Sequence, residues 1–337
     1  MGAGGQGNRL VAGVDATTCK PKPDAAISAA PHGATTLTDQ PIQMILPYVV
    51  GGGSDQRARL VAKYMGRHLG RPVEVVNRTG AVTGHTLIAA AAPDGNTIGQ
   101  ITGEIGMMHW HHGVTTLTPH DYTALAVPFV ESAAIIVRHD APFQDLAGFL
   151  DACRQGPIRG AGGPDFSVWK FALVGLLHAA GIATDRVEWT ETYSGEQGLA
   201  LVLEGKALVA PITLTDARGP LRAGSARALA TMEEQRHPGF PQVPTVREAI
   251  GIAWSVAHWR GIVAPRGLPA AIRDQYIATL RQVENDAEFQ AEARTSFFTL
   301  RWRHGDDFAR YMDQDDARFG RIIDTLGTKA GSAAGLY

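Results

Sequence analysis

The sequence predicts an α/β protein of two lobes with a ligand cleft between them. A strand-like run that enters glycine and continues as a helix-periodic stretch occurs twice in succession, over 42–65 and 72–92, as expected of a parallel α/β sheet. A third glycine-rich turn opens a further helix over 159–180. The length of 337 residues fits one large domain or two medium ones. In such sheets ligands bind outside the carboxyl ends of the strands, and both early glycine turns lie at such ends.

The first turn carries the most chemistry. Ile42 to Leu46 is an apolar run closed by Pro47; then come Tyr48, Val49, Val50, the glycines Gly51, Gly52 and Gly53, Ser54 and Asp55. From there Ala58, Leu60, Val61, Tyr64 and Met65 follow helical spacing. Glycine lets the backbone approach a ligand, and Ser54 and Asp55 can cap the first turn. The unpaired amides of a helix start, with the helix dipole, favour an anion. The segment reads either as a main-chain socket for a carboxylate or phosphate or as a tight turn that binds nothing. It has no Lys-Ser/Thr after the glycines and no spaced G-x-G-x-x-G, so it is neither a Walker-type cradle nor a dinucleotide loop. Asp55 precedes Arg59 by one helical turn, the favoured order for an ion pair. Arg57 is expected to be solvated or paired rather than in the site.

Pro72 to Asn77 reads as a strand, Arg78 to Thr86 as a glycine turn, Leu87 to Ala92 as helix and Thr97 to Thr102 as strand. Glu104 to Gly113 holds His109, Trp110, His111 and His112. Strands are expected at Ala133–Val137, Arg186–Trp189, Ala207–Leu214, Arg227–Thr231 and Gly261–Ala264, and helices at Phe143–Cys153, Trp169–Ala180, Gly198–Glu204 and after Thr245. Two helices, Pro269 to Asn285 and Asp306 to Leu326, are expected to complete the fold.

Composition narrows the function. Hydrophobic content of 45% and charged content of 19% are those of a globular protein, and a net charge of −2 gives no reason to expect nucleic acid or a membrane surface as partner. No apolar stretch is long enough to cross a bilayer. Residues 1–40, rich in Gly, Ala, Thr and Pro, read as a disordered arm or leader remnant without a recognisable signal peptide. Cys19 and Cys153 are read as free thiols.

Six segments, in order, resemble the extracytoplasmic solute-binding proteins of tripartite tricarboxylate transporters, the Bug family. They are PIQMILPYVVGGGSDQRAR (41–59), EVVNRTGA (74–81), AAPDGNTI (91–98), RAGSARALA (222–230), PQVPTVREAIG (241–251) and HWRGIVAPRGLP (258–269). The resemblance spans Pro41 to the C-terminal helix. It implies a type II periplasmic-binding-protein fold with two crossover strands, near Val137–Asp140 and His258–Gly261. Lobe one is then 41–138 plus 260–337, and lobe two 139–259. It also implies a monomer without cofactor or metal that delivers an organic acid to integral membrane transporter subunits. The second glycine turn is shorter than the family's, Thr79 replaces the usual proline, and Thr192–Gly195 matches the PYKG-like segment only loosely.

The expected ligand set follows from both readings. One carboxylate sits in the Val50–Asp55 amides beneath Tyr48, and Gly80, Ala81, Thr83 and Gly84 add donors. From lobe two come Gly162, Gly163 and Ser167 at a helix start, Thr192 and Tyr193 with Ser194 after a strand, and Thr213 and Asp216 with Thr215 after another. In each of these lobe-two positions capping or turn-making is the alternative. Glu104, His109 and Trp110 follow a strand end, where Trp and imidazole suit an aromatic or extended acid; the alternative is a packed Trp beside surface histidines. The histidines would need further ligands to hold a metal. No G-x-S-x-G elbow is present, and a Ser54–Asp55–His arrangement or a His-cluster metalloenzyme are the enzyme alternatives. A sensor partner of a signalling kinase would use the same binding fold.

Overall fold

Two mixed sheets carry the chain in this computed structural model, which describes residues 40–111 and 113–326. The arm expected over 1–40, apart from Gln40, lies outside the described residues, as do Cys19 and His112. The first sheet holds β1 (Ile42–Leu46), β2 (Val73–Asn77), β3 (Thr97–Thr102), β4 (Tyr122–Ser132), β10 (Ala257–Pro265) and β11 (Leu300–His304), in the order β11-β4-β10-β3-β1-β2. The second holds β5 (Ala134–Arg138), β6 (Ile158–Gly162), β7 (Val187–Glu191), β8 (Val209–Ile212) and β9 (Ala226–Thr231), in the order β7-β6-β8-β5-β9.

The expected parallel pairing is confined to the glycine-turn units. β1 runs parallel to β2 and β3, and β6 to β7 and β8. α1 (Gly53–Leu69), α2 (Ala81–Ala89), α5 (Val168–Ala179) and α6 (Gly195–Leu203) are the helices of these units. The strands that carry the chain between sheets are antiparallel to their neighbours: β10 to β3 and β4, and β5 to β8 and β9.

Those passages lie earlier than expected. β4 ends at Ser132 and β5 begins at Ala134, so the first passage is at Ala133. Val137 already pairs with Val209 inside the second sheet. On the return, Ala257 pairs with Ser132, so His258–Gly261 lies within β10. Glu131 and Ser132 are the polar break at this passage, and no Gly, Asn or Asp turn separates β4 from β5.

Between these strands lie α3 (Ile105–Met108), α4 (Leu146–Gln155), α7 (Arg218–Ala223) and α8 (Val246–Ile250), and the chain ends with α9 (Ala270–Asn285), α10 (Ala287–Thr295) and α11 (Asp306–Leu326). α10 and β11 are additional to the expected pair of closing helices. α10 buries only Phe289 and Ala293, too little for a clear apolar period, and its start is set by Asp286, whose side chain accepts from the Glu288 and Phe289 amides.

One core lies under the first sheet, where Ile42, Met44, Leu46 and Met65 meet Phe129, Tyr276 and Phe289. Another lies under the second, around Ile135, Phe149, Leu173, Leu176 and Val209, and α11 adds Phe319 and Ile323 to it. Each such side chain contributes about 1.5–3 kcal/mol on burial. The first core takes in Leu46 at the carboxyl end of β1 and Ala58 and Leu60 of α1; the second takes in Val168 at the head of α5.

Candidate functional site

The head of α1 is built almost wholly from main chain. After β1 the chain turns through Gly51 at φ +81°, and α1 begins at Gly53 with Gly52 as its uncapped N-cap. Ser54 and Asp55 therefore lie inside the first turn rather than capping it. The Asp55 carboxylate instead clasps the loop, accepting from the Gly51 amide at 2.9 Å, Asn77 at 2.9 Å and Arg59 at 2.9 Å. Burial acts to raise its pKa, but the bonds from Arg59, Gly51 and Asn77 outweigh it and hold Asp55 below its usual value. Ser54 Oγ accepts from Arg260 at 3.1 Å. The Gly53 N–H donates to Oε1 of Glu196, on α6 of the other lobe, at 2.7 Å.

Behind this turn is a buried charge cluster. Arg57 donates to Glu131 at 2.7 Å and to Asp216 at 3.0 Å; Arg260 donates to Glu131 at 2.8 Å. The Arg57 side chain is fully buried and its guanidinium lies 4.2 Å from the Phe298 ring centroid. Arg57 is thus paired, as one of the expected alternatives had it, but not solvated. Burial alone would lower its pKa; Asp216 and Glu131 reverse that and raise it. For Arg260, burial and the neighbouring Arg57 charge prevail and lower it. Two cations share two carboxylates here, and only hydrogen-bonded geometry of this kind offsets the cost of removing them from water. Asp216 belongs to the segment after β8, so its bond to Arg57 joins the lobes.

A second polar group lies at the end of β3. Tyr48 Oη is 2.6 Å from Thr102 Oγ1 and donates to Glu104 Oε2 at 3.0 Å. Desolvation pushes the Glu104 carboxyl up to about 7, against the opposing effects of Tyr48, Arg260, Thr102 and Val168. Of these, the Val168 amide, at the start of α5 in the other lobe, acts on the Glu104 carboxyl to lower its pKa.

The remaining expected residues divide by place. Gly80, at φ +117°, immediately precedes α2, and its amide bonds Pro47 O at 3.2 Å, which brings this turn beside the first. Ala81, Thr83 and Gly84 are helical rather than part of a loop, and a Cβ on Gly84 would lie 2.7 Å from Pro47. In lobe two, Gly162 ends β6 under the Trp189 ring, Gly163 abuts Ser167, and Ser167 caps α5. The Thr192 hydroxyl donates to Ser194 O, and Thr213 Oγ1 accepts from the Asp216 amide. Val50 and Tyr193 are exposed, at 71% and 85%. His109 and Trp110 both reach Asp316 of α11, each at 3.0 Å, and the Trp110 ring covers Gly320. Through Asp316 both side chains are tied to the C-terminal helix, and His109 Nδ1 also lies 3.3 Å from Ile105 O of α3. Among the described residues no group of three or more His, Cys, Asp or Glu could hold a metal ion.

Glu131, Glu196, Arg260, Gln100 and His258 were missing from the expected set. Glu131 and Arg260 had a legible signal, a charge inside an otherwise apolar strand. Glu196 had none, since a glutamate in the first turn of a helix is ordinary.

Comparison with known proteins places this architecture. Residues 57–328 match the tripartite tricarboxylate transporter family receptor. A UPF0065 protein from the tcbD-tcbE intergenic region of Pseudomonas sp. strain P51 is 28% identical over 255 residues, 72% of this chain and 73% of that one. A TctC solute-binding protein from Polaromonas superposes with a TM-score of 0.67 at 26% identity, over 85% of this chain and 98% of that chain. Rpa4515 of R. palustris, solved with adipate, superposes with a TM-score of 0.79 at 21% identity, over 85% and 97%. The chain belongs to the family of tripartite tricarboxylate transporter receptors, which bind solutes and are not enzymes.

Proposed function

We propose that the chain is a periplasmic solute-binding protein that captures a carboxylate-bearing organic acid, a di- or tricarboxylate or an aromatic acid, between its lobes. It delivers the acid to a tripartite tricarboxylate-type membrane transporter. The observation that carries this reading is the Gly53 amide, which already has a carboxylate oxygen 2.7 Å away. Gly51, Gly52 and Gly53 leave no side chain between the α1 amides and an anion, and charge-assisted bonds of this kind each contribute about 1.5–3 kcal/mol. The adipate bound by Rpa4515, a likeness of fold, is consistent with an acid of that class. Among the described residues no helix is long and apolar enough to cross a membrane.

A thermal-shift screen of the purified protein against aliphatic di- and tricarboxylates, amino acids and aromatic acids tests the reading. An acid at a hundred times its Kd adds roughly 2.7 kcal/mol of stability, a visible rise in Tm. A folded protein that responds to no acid in the panel would overturn it.

A further inference from the structure

The chain passes from α10 to β11 through Phe297, Phe298 and Thr299, and this short connection touches both lobes. The Phe297 N–H donates to Arg294 O at 3.0 Å and the Phe298 N–H to Ala293 O at 2.9 Å. That pair of bonds closes a helix by turning its next residue into the left-handed region, where glycine is the usual occupant. Here the residue is Phe297, at φ +62°, the only positive φ at a non-glycine among the described residues. A bulky side chain in that region strains the backbone and persists only where its surroundings hold it.

Lobe two supplies the hold. The Phe297 ring centroid lies 6.2 Å from that of Phe240, and the Arg222 guanidinium of α7 lies 4.4 Å from the Phe297 centroid. A Cβ on Gly239 would sit 2.9 Å from Phe297 Cδ1. Phe297 O accepts from Thr215 Oγ1 at 2.9 Å. His237 Nδ1 accepts from the Gly239 amide, so its Nε2 carries the proton and faces Thr299 Oγ1 at 3.0 Å.

Phe298 turns the other way, into lobe one. Its ring packs 5.7 Å from that of Phe129 and lies under the Arg57 guanidinium. Arg57 in turn donates to Gly53 O at 2.7 Å and to Asp216. The neighbours Thr215 and Asp216 of lobe two therefore hold the neighbours Phe297 and Phe298 of lobe one, the first directly and the second through Arg57.

We propose that Phe297 is a strained clasp that holds the two lobes together in the empty protein and, through Phe298, positions Arg57 beneath the head of α1. Its strain is offset only while its ring is packed on lobe two. Parting the lobes breaks the Thr215–Phe297 bond, the Arg222 contact and the Arg57–Asp216 pair together. The clasp thus sets the balance between open and closed forms before any solute arrives, and apparent affinity falls in proportion to the closed fraction. It acts whichever solute the cleft takes.

Nitroxide labels at Gln275→Cys of α9 and Lys206→Cys, exposed positions on opposite lobes, report lobe separation. The protein is first unfolded in urea, dialysed and refolded to strip it of small molecules, with Cys19 replaced by serine and the buried Cys153 left in place. Phe297→Gly removes ring and strain together; it is expected to fold and to lengthen and broaden the distance distribution. Gly239→Ala, which crowds the ring from lobe two, is expected to shift it in the same direction. Phe297→Ala loses the ring but keeps a Cβ at the left-handed position, so it should melt below Phe297→Gly. Distances in Phe297→Gly equal to those of the parent would overturn the clasp, whatever Gly239→Ala does. A Tm of Phe297→Ala at or above that of Phe297→Gly would overturn the strain on which it depends.

Discussion

Glu196 and Gly53, far apart in sequence and on opposite lobes, are joined by a 2.7 Å hydrogen bond in which the side chain belongs to one lobe and the backbone to the other. Asp216 reaches the same glycine. A Cβ there would lie 2.7 Å from Asp216 Oδ2 and 2.9 Å from Arg57. Lobe two therefore closes onto a residue that has to be glycine.

Gly53→Ala should fold, since alanine is the better helix former by about 1 kcal/mol. It should nevertheless hold the lobes apart and lose the Tm rise that an acid gives the parent. Gly52→Ala is the less crowded comparison, because its Cβ would lie 3.3 Å from the Val49 side chain, 3.5 Å from Val49 O and 3.9 Å from Glu196 Oε2, and a smaller effect is expected there. Equal acid-induced shifts in Gly53→Ala and the parent would count against closure at this point.

The two acids of the charge cluster should behave differently. Glu131 bridges Arg57 and Arg260 within lobe one, so Glu131→Gln leaves two buried cations sharing Asp216 alone. A loss of about 3–5 kcal/mol in urea unfolding is expected. Asp216→Asn removes a contact that opening of the lobes exposes to water, so a smaller loss, with weaker acid binding, should follow. If both variants lost the same stability, the cluster would be one structural unit rather than a lobe-one pair plus a cross-lobe clamp.

Glu104 should make stability depend on pH. Its carboxyl, faced by Tyr48, Thr102, Arg260 and the Val168 amide, is pushed up to about 7 by burial. A free glutamate titrates near 4.3, roughly. The folded state thus holds the proton more tightly, so this group favours folding at low pH and loses that contribution as pH rises from about 4.3 through about 7. His85, lowered to about 4 by burial, acts in the opposite sense, since the unfolded chain takes up its proton as pH falls below about 6.5. Relative to the parent, Glu104→Gln should be more stable by about 1–3 kcal/mol at pH 8 and equally stable near pH 4. A difference independent of pH would mean that Glu104 does not titrate in this window.

Much of the frame was legible because it rests on local rules. The apolar run into Gly51–Gly53 marked β1 and α1, and the Pro93-Asp94-Gly95 turn marked the end of a helix before β3. The i,i+4 pair of Asp55 and Arg59 forms at 2.9 Å. What stayed hidden depends on residues remote in sequence. Whether Arg57 is solvated or buried is decided by Glu131 and Asp216, and the importance of Glu196 by a glycine on the other lobe. Gly84 looked like a loop residue because glycine disfavours helices; it is helical because only glycine fits against Pro47.

Trp110 tests the boundary between packing and binding. Its Nε1 donates to Asp316 at 3.0 Å and its ring covers Gly320, where a Cβ would lie 2.5 Å from the indole. His109 pairs with the same carboxylate at 3.0 Å. Trp110→Ala should cost about 2–4 kcal/mol by loosening α11 from α3, with no change in the relative affinities of aromatic and aliphatic acids. For His109, burial lowers the pKa but the Asp316 carboxylate more than compensates and raises it. Its contribution should be fully present below about pH 6.5 and fade as pH rises through the raised value, so His109→Ala should lower Tm at pH 6 and hardly at all at pH 9. A selective loss of aromatic acids in Trp110→Ala would instead place the indole against the ligand and remove α11 packing as its main role.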